Sequence, residues 1–400
     1  MADIAALIAS RQPGHGLPQA FYKDPAIYAR DIERVFMPSW IYACHASELP
    51  AVGDFRLLEL GSESVIVVRS SADGFTALVN VCRHRGSRVC LEASGNKSRF
   101  VCPYHAWAYE LDGKLAHARH MPEDFDRGAY GLKTIQLREL HGLLFVNFTC
   151  GTDEVLAGFD AVAAAMDPCL APYDLAHAKV ARRETYRIAA NWKLAVENYT
   201  ECYHCAPAHP EYSVAHSLKD PGARETEGMQ AVMARADACG LSSERINRVY
   251  DTAVASGADY AYERYPLLKG HVTGSRDGAP VAPLMGSIID YDGGTTDLQI
   301  GPVTFGLAYC DHVVLYRFTP RGVNACDCDI TWLVRGDAVA GRDYDPDALT
   351  WLWDVTTQAD KRIIEDNQRG VDSAYYRPGP YSAMEAFTDR FISWYLDTIA

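Results

Sequence analysis

Cys82-Arg83-His84 and, after seventeen intervening residues, Cys102-Pro103-Tyr104-His105 carry the reading of this chain. Each half offers one thiol and one imidazole from a short turn that closes a strand-like run. Two such loop tips can converge on one inorganic centre. Tetrahedral zinc accepts two Cys and two His, but it usually takes them grouped by type, as Cys-x2–4-Cys and His-x3–5-His. A [2Fe–2S] cluster that gives one iron two Cys and the other two His suits mixed pairs. Both halves are mixed, which favours the cluster over zinc and over unrelated buried cysteines and surface histidines. Gly86, Ser87 and Pro103 leave room for backbone N–H groups near bridging sulfides. Between Cys82 and His105 five basic residues (Arg83, Arg85, Arg88, Lys97, Arg99) stand against one acid, Glu92. The expectation is a positive collar on which an acidic partner surface docks.

Around these loops, short β-branched runs alternate with turn signals: Phe55–Leu60, Ser64–Arg69 and Phe75–Val81, with Gly61-Ser62 and Asp73-Gly74 between them. The same grammar returns at Phe100-Val101, Trp107–Leu111, Leu132–Leu137 and Leu143–Phe148. Residues 40–150 therefore read as a small β domain. Before it, residues 1–39 carry helical spacing from Phe21 to Phe36, with Asp24-Pro25 as cap and first helical residue. After it, residues 151–178 read as a connector with an Ala-rich amphipathic stretch and Pro168 and Pro172. Residues 179–400 mix strands (Glu184–Ile188, Val313–Phe318, Asp329–Val334) with helices (Asn191–Cys205, Asp347–Gln368). The fold class is α+β, and Leu218–Pro280 is expected to hold loops and short helices.

The chain has 400 residues, enough for two or three domains at roughly 150 residues each. Hydrophobic residues at 48% and charged residues at 22% exclude a disordered or fibrous chain. A net charge of −14 speaks against nucleic acid or anionic lipid as partners. No run approaches the roughly 18–20 apolar residues of a membrane span, since Asp160 and Asp167 interrupt Val155–Leu170. The N-terminus shows no basic leader. Twelve cysteines are too dilute for a disulfide scaffold, so a reducing, cytoplasmic setting is expected.

A second constellation follows at Glu201-Cys202-Tyr203-His204 and His209-Pro210. Glu201 and His204, three apart, are expected on one helix face, with Pro207 ending the helix so that His209 swings back toward His204. Two imidazoles and one carboxylate with open positions are the donor set of non-haem Fe(II) oxygen chemistry. The helix at 347–368 offers four acids. Asp360 shares a face with Trp353, Thr356, Ile363 and Ile364. Glu365 lies among Lys361, Arg362 and Arg369, Asp354 beside Gln358 and Lys361, and Asp366 has Arg362 one turn before it. A core-facing carboxylate is costly unless paired or metal-bound, which selects Asp360.

Together these motifs resemble the α subunit of Rieske non-haem iron oxygenases, from about Phe21 to the C-terminus. In that family Cys82, His84, Cys102 and His105 match the ligands of the [2Fe–2S] cluster, and His204, His209 and Asp360 match those of the mononuclear Fe(II). The resemblance implies a small β Rieske domain followed by a helix-grip (START-like) catalytic domain. It also implies a homotrimer, or a mixed hexamer with a small β subunit, in which an acid beside the first iron histidine passes electrons between subunits. The matching position is Glu201, where ring dihydroxylases commonly have Asp. Glu201, with Asn191-Trp192-Lys193, Asn367-Gln368-Arg369-Gly370 and Pro378-Gly379-Pro380-Tyr381-Ser382, looks like the glycine betaine and stachydrine demethylases and their carnitine and choline monooxygenase relatives. Those enzymes hydroxylate a carbon next to a quaternary nitrogen, and the demethylases release formaldehyde.

The expected protein is thus a terminal oxygenase that uses O2 on a small-molecule substrate. No glycine-rich dinucleotide fingerprint and no plant-type Cys-x4-Cys-x2-Cys run occurs, so NAD(P)H electrons should come through a separate flavin or iron–sulfur reductase. Substrate-binding residues are not legible. Seven tyrosines between Tyr250 and Tyr316 (with Tyr260, Tyr262, Tyr265, Tyr291 and Tyr309) could include an aromatic cage for quaternary ammonium, or be ordinary strand residues. The alternatives are ring hydroxylation by the same machinery and, more remotely, an electron carrier or zinc protein.

Overall fold

The N-terminal segment is broken into short helices where proline and capping chemistry require it. This is a computed structural model that describes residues 4–149, 153–216, 223–241, 249–253 and 258–400. Helices α1 (Ile4–Ser10) and α2 (Ala20–Lys23) precede α3 (Pro25–Asp31), which runs into a π turn over Ile32–Phe36. Asp24 and Pro25 are the cap and first helical residue expected of them: the Asp24 carboxylate accepts the Ala26 N–H at 2.8 Å and α3 starts at Pro25, while Phe21–Lys23 belong to the separate short α2.

Ten strands follow: β1 (Ile41–His45), β2 (Asp54–Leu60), β3 (Glu63–Ser71), β4 (Gly74–Val79), β5 (Ser94–Asn96), β6 (Phe100–Val101), β7 (Ala108–Tyr109), β8 (Leu115–His117), β9 (Thr134–Leu140) and β10 (Leu143–Asn147). Seven of them form an antiparallel sheet in the order β1-β10-β9-β4-β3-β2-β5, and β6-β7-β8 form a small second sheet. The β2–β3 turn is Gly61-Ser62, with Leu60 opposite Glu63 and Gly61 at φ +56°, a left-handed value that glycine adopts without steric cost. The loops after β4 and β6 bring the first constellation together.

Helix α4 (Asp153–Leu170) leads to β11 (Ala178–Ile188) and then α5 (Trp192–Tyr199), α6 (Cys205–Ala208), α7 (Pro210–Ser213) and α8 (Ala223–Ala236). Strands β12 (Val249–Ala253), β13 (Ala258–Pro266), β14 (Gly294–Ile300), β15 (Thr304–Ala308), β16 (Val313–Gly322) and β17 (Ala325–Arg335) complete a second sheet, ordered β11-β17-β16-β15-β14-β13-β12 and antiparallel throughout. Helices α9 (Pro346–Val371) and α10 (Ala386–Ile399) close the chain. The strand period of two gives the sheet its two covered faces. Val314, Tyr316 and Phe318 of β16 pack in one core with residues of α5, α9 and α10, whereas Val313 and Leu315 pack in another with Phe159, Val162 and Met166 of α4.

Three expectations need correction. The helix expected over 191–205 ends at Tyr199. Glu201–His204 form a turn, and Pro207 lies inside the short α6 instead of terminating a longer helix. Pro168 likewise sits inside α4. Among the described positions, residues 218–280 contain one α-helix, a short 3-10 helix at Asp237–Cys239 and, beyond the expected loops and short helices, two strands; 218–222, 242–248 and 254–257 lie outside them. Finally, Val155–Tyr173 is by length and composition apolar enough to cross a membrane. Here it covers the sheet: Phe159, Val162, Met166, Cys169 and Leu170 are buried, and Asp160 and Asp167 face outward.

Candidate active site and cluster site

Cys82 and Cys102 sit in loops with the same hydrogen-bond pattern. Cys82 N–H donates to Ser87 O at 2.8 Å and Gly86 N–H to Cys82 O at 2.9 Å. In the second loop Cys102 N–H donates to Trp107 O at 2.8 Å and Ala106 N–H to Cys102 O at 3.0 Å. The residue four after each cysteine turns left-handed, Gly86 at φ +78° and Ala106 at φ +55°. Both cysteines are buried and not disulfide-bonded, and both histidines are exposed, with ring centroids 4.6 Å apart. His84 stacks on Trp107 at 4.9 Å. Tyr109 Oη accepts the Arg83 N–H at 3.1 Å, so its own proton is free for Cys82 Sγ at 3.2 Å. An O–H aimed at a buried sulfur suits a thiolate.

The donor set therefore has sulfur inside and imidazole outside, as a cluster with one iron on each pair requires. It does not close on one point. Among the described residues, only the second constellation brings three ligand atoms within 4.8 Å of one another. A single tetrahedral zinc at the Cys/His loops fits less well. The expected collar is partly neutralised: Arg88 pairs with Glu59, Lys97 with Glu92 and Arg99 with Glu110. Arg83 and Arg85 form no ion pair with a described residue, and Arg85 lies against the Tyr104 ring at 5.4 Å.

At the second constellation, Asn191 caps α5 by accepting the Lys193 N–H at 3.1 Å, and the helix delivers the chain to the turn at Glu201. One oxygen of Glu201 accepts the N–H of Tyr203 and, at 3.2 Å, that of His204; the other meets His204 Nδ1 at 2.5 Å. Cys202 and Cys205 are joined by a disulfide across this turn, a bridge the sequence reading does not anticipate. His209 leaves α6 and meets Asp360 of α9, with Nε2 to Oδ1 at 2.8 Å, and His204 Nε2 lies 3.2 Å from the same oxygen. The competing acids of α9 are engaged elsewhere. Asp354 accepts the Tyr186 hydroxyl at 2.6 Å, Glu365 the Ala189 N–H at 2.9 Å, and Asp366 pairs with Arg369 at 2.6 Å on the surface.

This geometry fits a metal ion. With His204 Nδ1–H donating to Glu201, a neutral ring leaves its Nε2 lone pair facing a carboxylate oxygen, which is repulsive unless a proton or cation lies between them. Burial would lower the His204 pKa, but Asp360 and Glu201 outweigh it and hold the ring at about 9. Asp360 is held below the usual carboxylate range by the two imidazoles, against the upward push of burial. His209 Nδ1 is buried without a hydrogen-bond partner among the described residues.

A cavity of about 380 Å³ opens on these three residues, a size suited to a small molecule. Its wall includes Tyr199, Tyr212, Phe305, Trp353 and Phe387 as aromatic faces, Asp297 and Glu263 as acids, and Arg390. Of the seven tyrosines singled out in the sequence, Tyr262 and Tyr265 line the cavity. Tyr309 and Tyr316 pack behind it against Trp353, at 6.4 and 5.9 Å between centroids. Tyr291 turns toward Asp311, and the Tyr250 side chain lies outside the described positions. Tyr199 and Tyr212 fall outside that interval; their closeness in sequence to His204 and His209 is the signal that points to them.

Comparison with known proteins matches residues 39–136 to the Rieske [2Fe–2S] domain and residues 175–400 to the ring hydroxylating alpha subunit catalytic domain. The chain is 38% identical over 99% of its length, and 88% of the relative's, to a glycine betaine monooxygenase oxygenase subunit of Chromohalobacter salexigens. It is 39% identical to a carnitine monooxygenase oxygenase subunit of Escherichia coli over 51% of this chain and 55% of that one. Its fold is that of the quaternary ammonium Rieske monooxygenase CntA (TM-score 0.74, 21% identity, 98% of both chains). A naphthalene 1,2-dioxygenase of Rhodococcus shares the fold at a TM-score of 0.69 and 18% identity, over 96% and 94% of the two chains. The chain belongs to the Rieske oxygenase α subunits, oxidoreductases that pair a [2Fe–2S] cluster with a non-haem iron and take electrons from a reductase.

Proposed function

We propose that this chain is the oxygenase component that hydroxylates an N-methyl or adjacent carbon of a small quaternary ammonium compound of betaine type. Cys82, His84, Cys102 and His105 would hold the cluster within residues 40–150, and His204, His209 and Asp360 the iron within residues 179–400. The bound iron supplies O2 activation. The chain's own residues orient the ligand rings, through Glu201 at His204, and enclose the substrate away from bulk water. Glu201 bridges the two centres between neighbouring subunits of a homotrimer, and the setting is cytoplasmic.

The observation that carries the substrate class is the cavity wall. Aromatic faces attract a cation that has no hydrogen to donate, and carboxylates balance its charge. Among the described residues lining the cavity, Arg390 is the only Lys or Arg. The named relative that matches nearly the whole length, a glycine betaine monooxygenase subunit, supports the same class.

With a surrogate reductase, glycine betaine or a close analogue should drive NADH-coupled O2 uptake and yield formaldehyde in proportion. The carbinol formed on an N-methyl group loses its hydroxyl proton, the C=O bond of formaldehyde forms, and the breaking C–N bond leaves its electron pair on the tertiary amine. Turnover of benzoate or another simple aromatic to a diol or phenol, with none on betaines, carnitine or choline, would select ring hydroxylation instead.

A further inference from the structure

Two carboxylates line this cavity side by side. Asp297 on β14 is the direct cross-strand partner of Glu263 on β13, and both belong to the cavity wall. Like charges directly opposite in a sheet destabilise it, and a desolvated carboxylate needs compensation. Glu263 accepts the Tyr265 hydroxyl at 2.5 Å. For Asp297, no ion pair and no side-chain hydrogen bond to a described residue offsets the charge; only the Leu298 N–H favours its ionised form. Burial and then the Glu263 charge push its carboxyl up to about 7. The field of Asp297 is felt at Tyr199, Tyr212 and Tyr309. Two polar atoms of the same wall, Tyr199 Oη and Trp353 Nε1, are buried without a hydrogen-bond partner among the described residues, and Trp353 is only 3% exposed. Such a wall is incomplete without an occupant.

We propose that Asp297 is the specificity residue of this cavity, the counter-charge that selects a substrate bearing a permanent cation over a neutral one of the same shape. The inference rests on the quaternary ammonium reading and deepens it. A cation placed against the aromatic faces restores to Asp297 the opposite charge the fold withholds. A neutral molecule would leave the carboxylate desolvated and uncompensated. Asp297 stands in the wall and not among the metal-facing residues, so it sets which molecule binds and leaves the ligand set untouched.

The test compares glycine betaine with 3,3-dimethylbutanoate, which replaces N⁺ by carbon in the same shape, by calorimetric binding to the cluster-loaded protein. The wild type should prefer glycine betaine. Asp297→Asn should reduce that preference about tenfold or more through the cation's affinity, with the cluster spectrum unchanged. Asp297→Ser, a second neutral replacement, should lose the same preference, and Asp297→Glu should keep part of it. If the wild type prefers glycine betaine and both neutral variants keep the preference undiminished, the role of Asp297 is overturned while the substrate reading stands. If the wild type itself binds the isostere or benzoate as well as it binds the betaine, the substrate reading fails and takes this inference with it.

Discussion

His204 is oriented from both sides, with Glu201 on Nδ1 and Asp360 beyond Nε2. Such bracketing fixes the tautomer and the ring plane before any ion arrives, as partners of metal-bound histidines do. That His204, His209 and Asp360 come together in space was legible because metal-binding chemistry restricts residue type and spacing together. Asp360 was separable from its neighbours because helical periodicity put it on the face of Trp353 and Thr356, which line the same cavity. Asp297 and Glu263 were not legible. Their meaning arises only when two strands far from the histidines in sequence are laid side by side. At this scale the expectation is that Asp360→Ala loses mononuclear iron and turnover, with loss of activity of at least a hundredfold, while the cluster absorbance persists. Asp366→Ala, which removes only a surface pair with Arg369, should match the wild type in both. Iron analysis beside the visible spectrum decides it, and the reverse pattern would mean that the wrong carboxylate has been placed at the metal.

Strands were legible where an apolar or β-branched run stands between turn signals, so β10 and β16, buried on both faces, were read from sequence as well as β2. β2 has no fully exposed or fully buried face along its length, but its hairpin turn has a recognisable glycine, so sequence found it. β1 and β15 are also buried at every position, Ile41–His45 and Thr304–Ala308, and a short strand with no polar face shows no period to read, which leaves only its flanking turns to mark it. α10 does show helical spacing in Phe391, Ile392, Tyr395, Leu396 and Ile399, and that signal was available. What ties α10 to the rest is polar. Asp31, at the end of α3, is fully buried and accepts from Trp192 Nε1 at 2.9 Å, from Tyr395 Oη at 2.6 Å and from the equally buried Lys193 Nζ. The Asn191-Trp192-Lys193 motif is thus a cap, a core ring and a buried cation in three successive residues. Removing one partner of a buried pair leaves the other charge uncompensated, at a cost of about 3–5 kcal/mol. Lys193→Met should lower the thermal midpoint by many degrees, whereas the double replacement Lys193→Met with Asp31→Asn should recover part of the loss. A single variant that melts with the wild type would show that this hub holds the helices less firmly than its burial implies.

At the scale of the whole molecule, the Cys82–His84 and Cys102–His105 loops pack on a core of Phe55, Ile66, Leu78 and Trp107, and a shared core, in which Ile41, Leu58, Val65 and Val146 of the first sheet meet Phe305, Val314 and Trp332 of the second, ties that region to the one that carries His204, His209 and Asp360. Glu201 already spends one oxygen on His204 Nδ1 and the other on two backbone N–H groups of its own turn, so its orientation is set within one chain. The imidazoles of His84 and His105, with Arg83 and Arg85 beside them and without ion pairs to described residues, are exposed, so the end that would hold the proposed cluster faces outward. A carboxylate oriented at one surface and two exposed imidazoles at another are complementary between copies of the chain, which is the physical content of the proposed trimer. Replacing Glu201 by Gln keeps the shape and the hydrogen-bonding reach but removes the charge that favours an Nδ1–H donor at His204. Iron and cluster content should stay near normal, and the oligomer should survive on a sizing column. Reoxidation of the reduced cluster by O2 in the presence of substrate, followed by stopped-flow absorbance, should slow by at least about a hundredfold, or about 2.7 kcal/mol of barrier. Glu201→Asp shortens the reach by one methylene and should fall between the two. High salt should weaken the contact made by Arg83 and Arg85 and slow the wild type in the same assay. A Gln variant that reoxidises at the wild-type rate would move the electron path away from this carboxylate and leave Glu201 as a cap of its own turn.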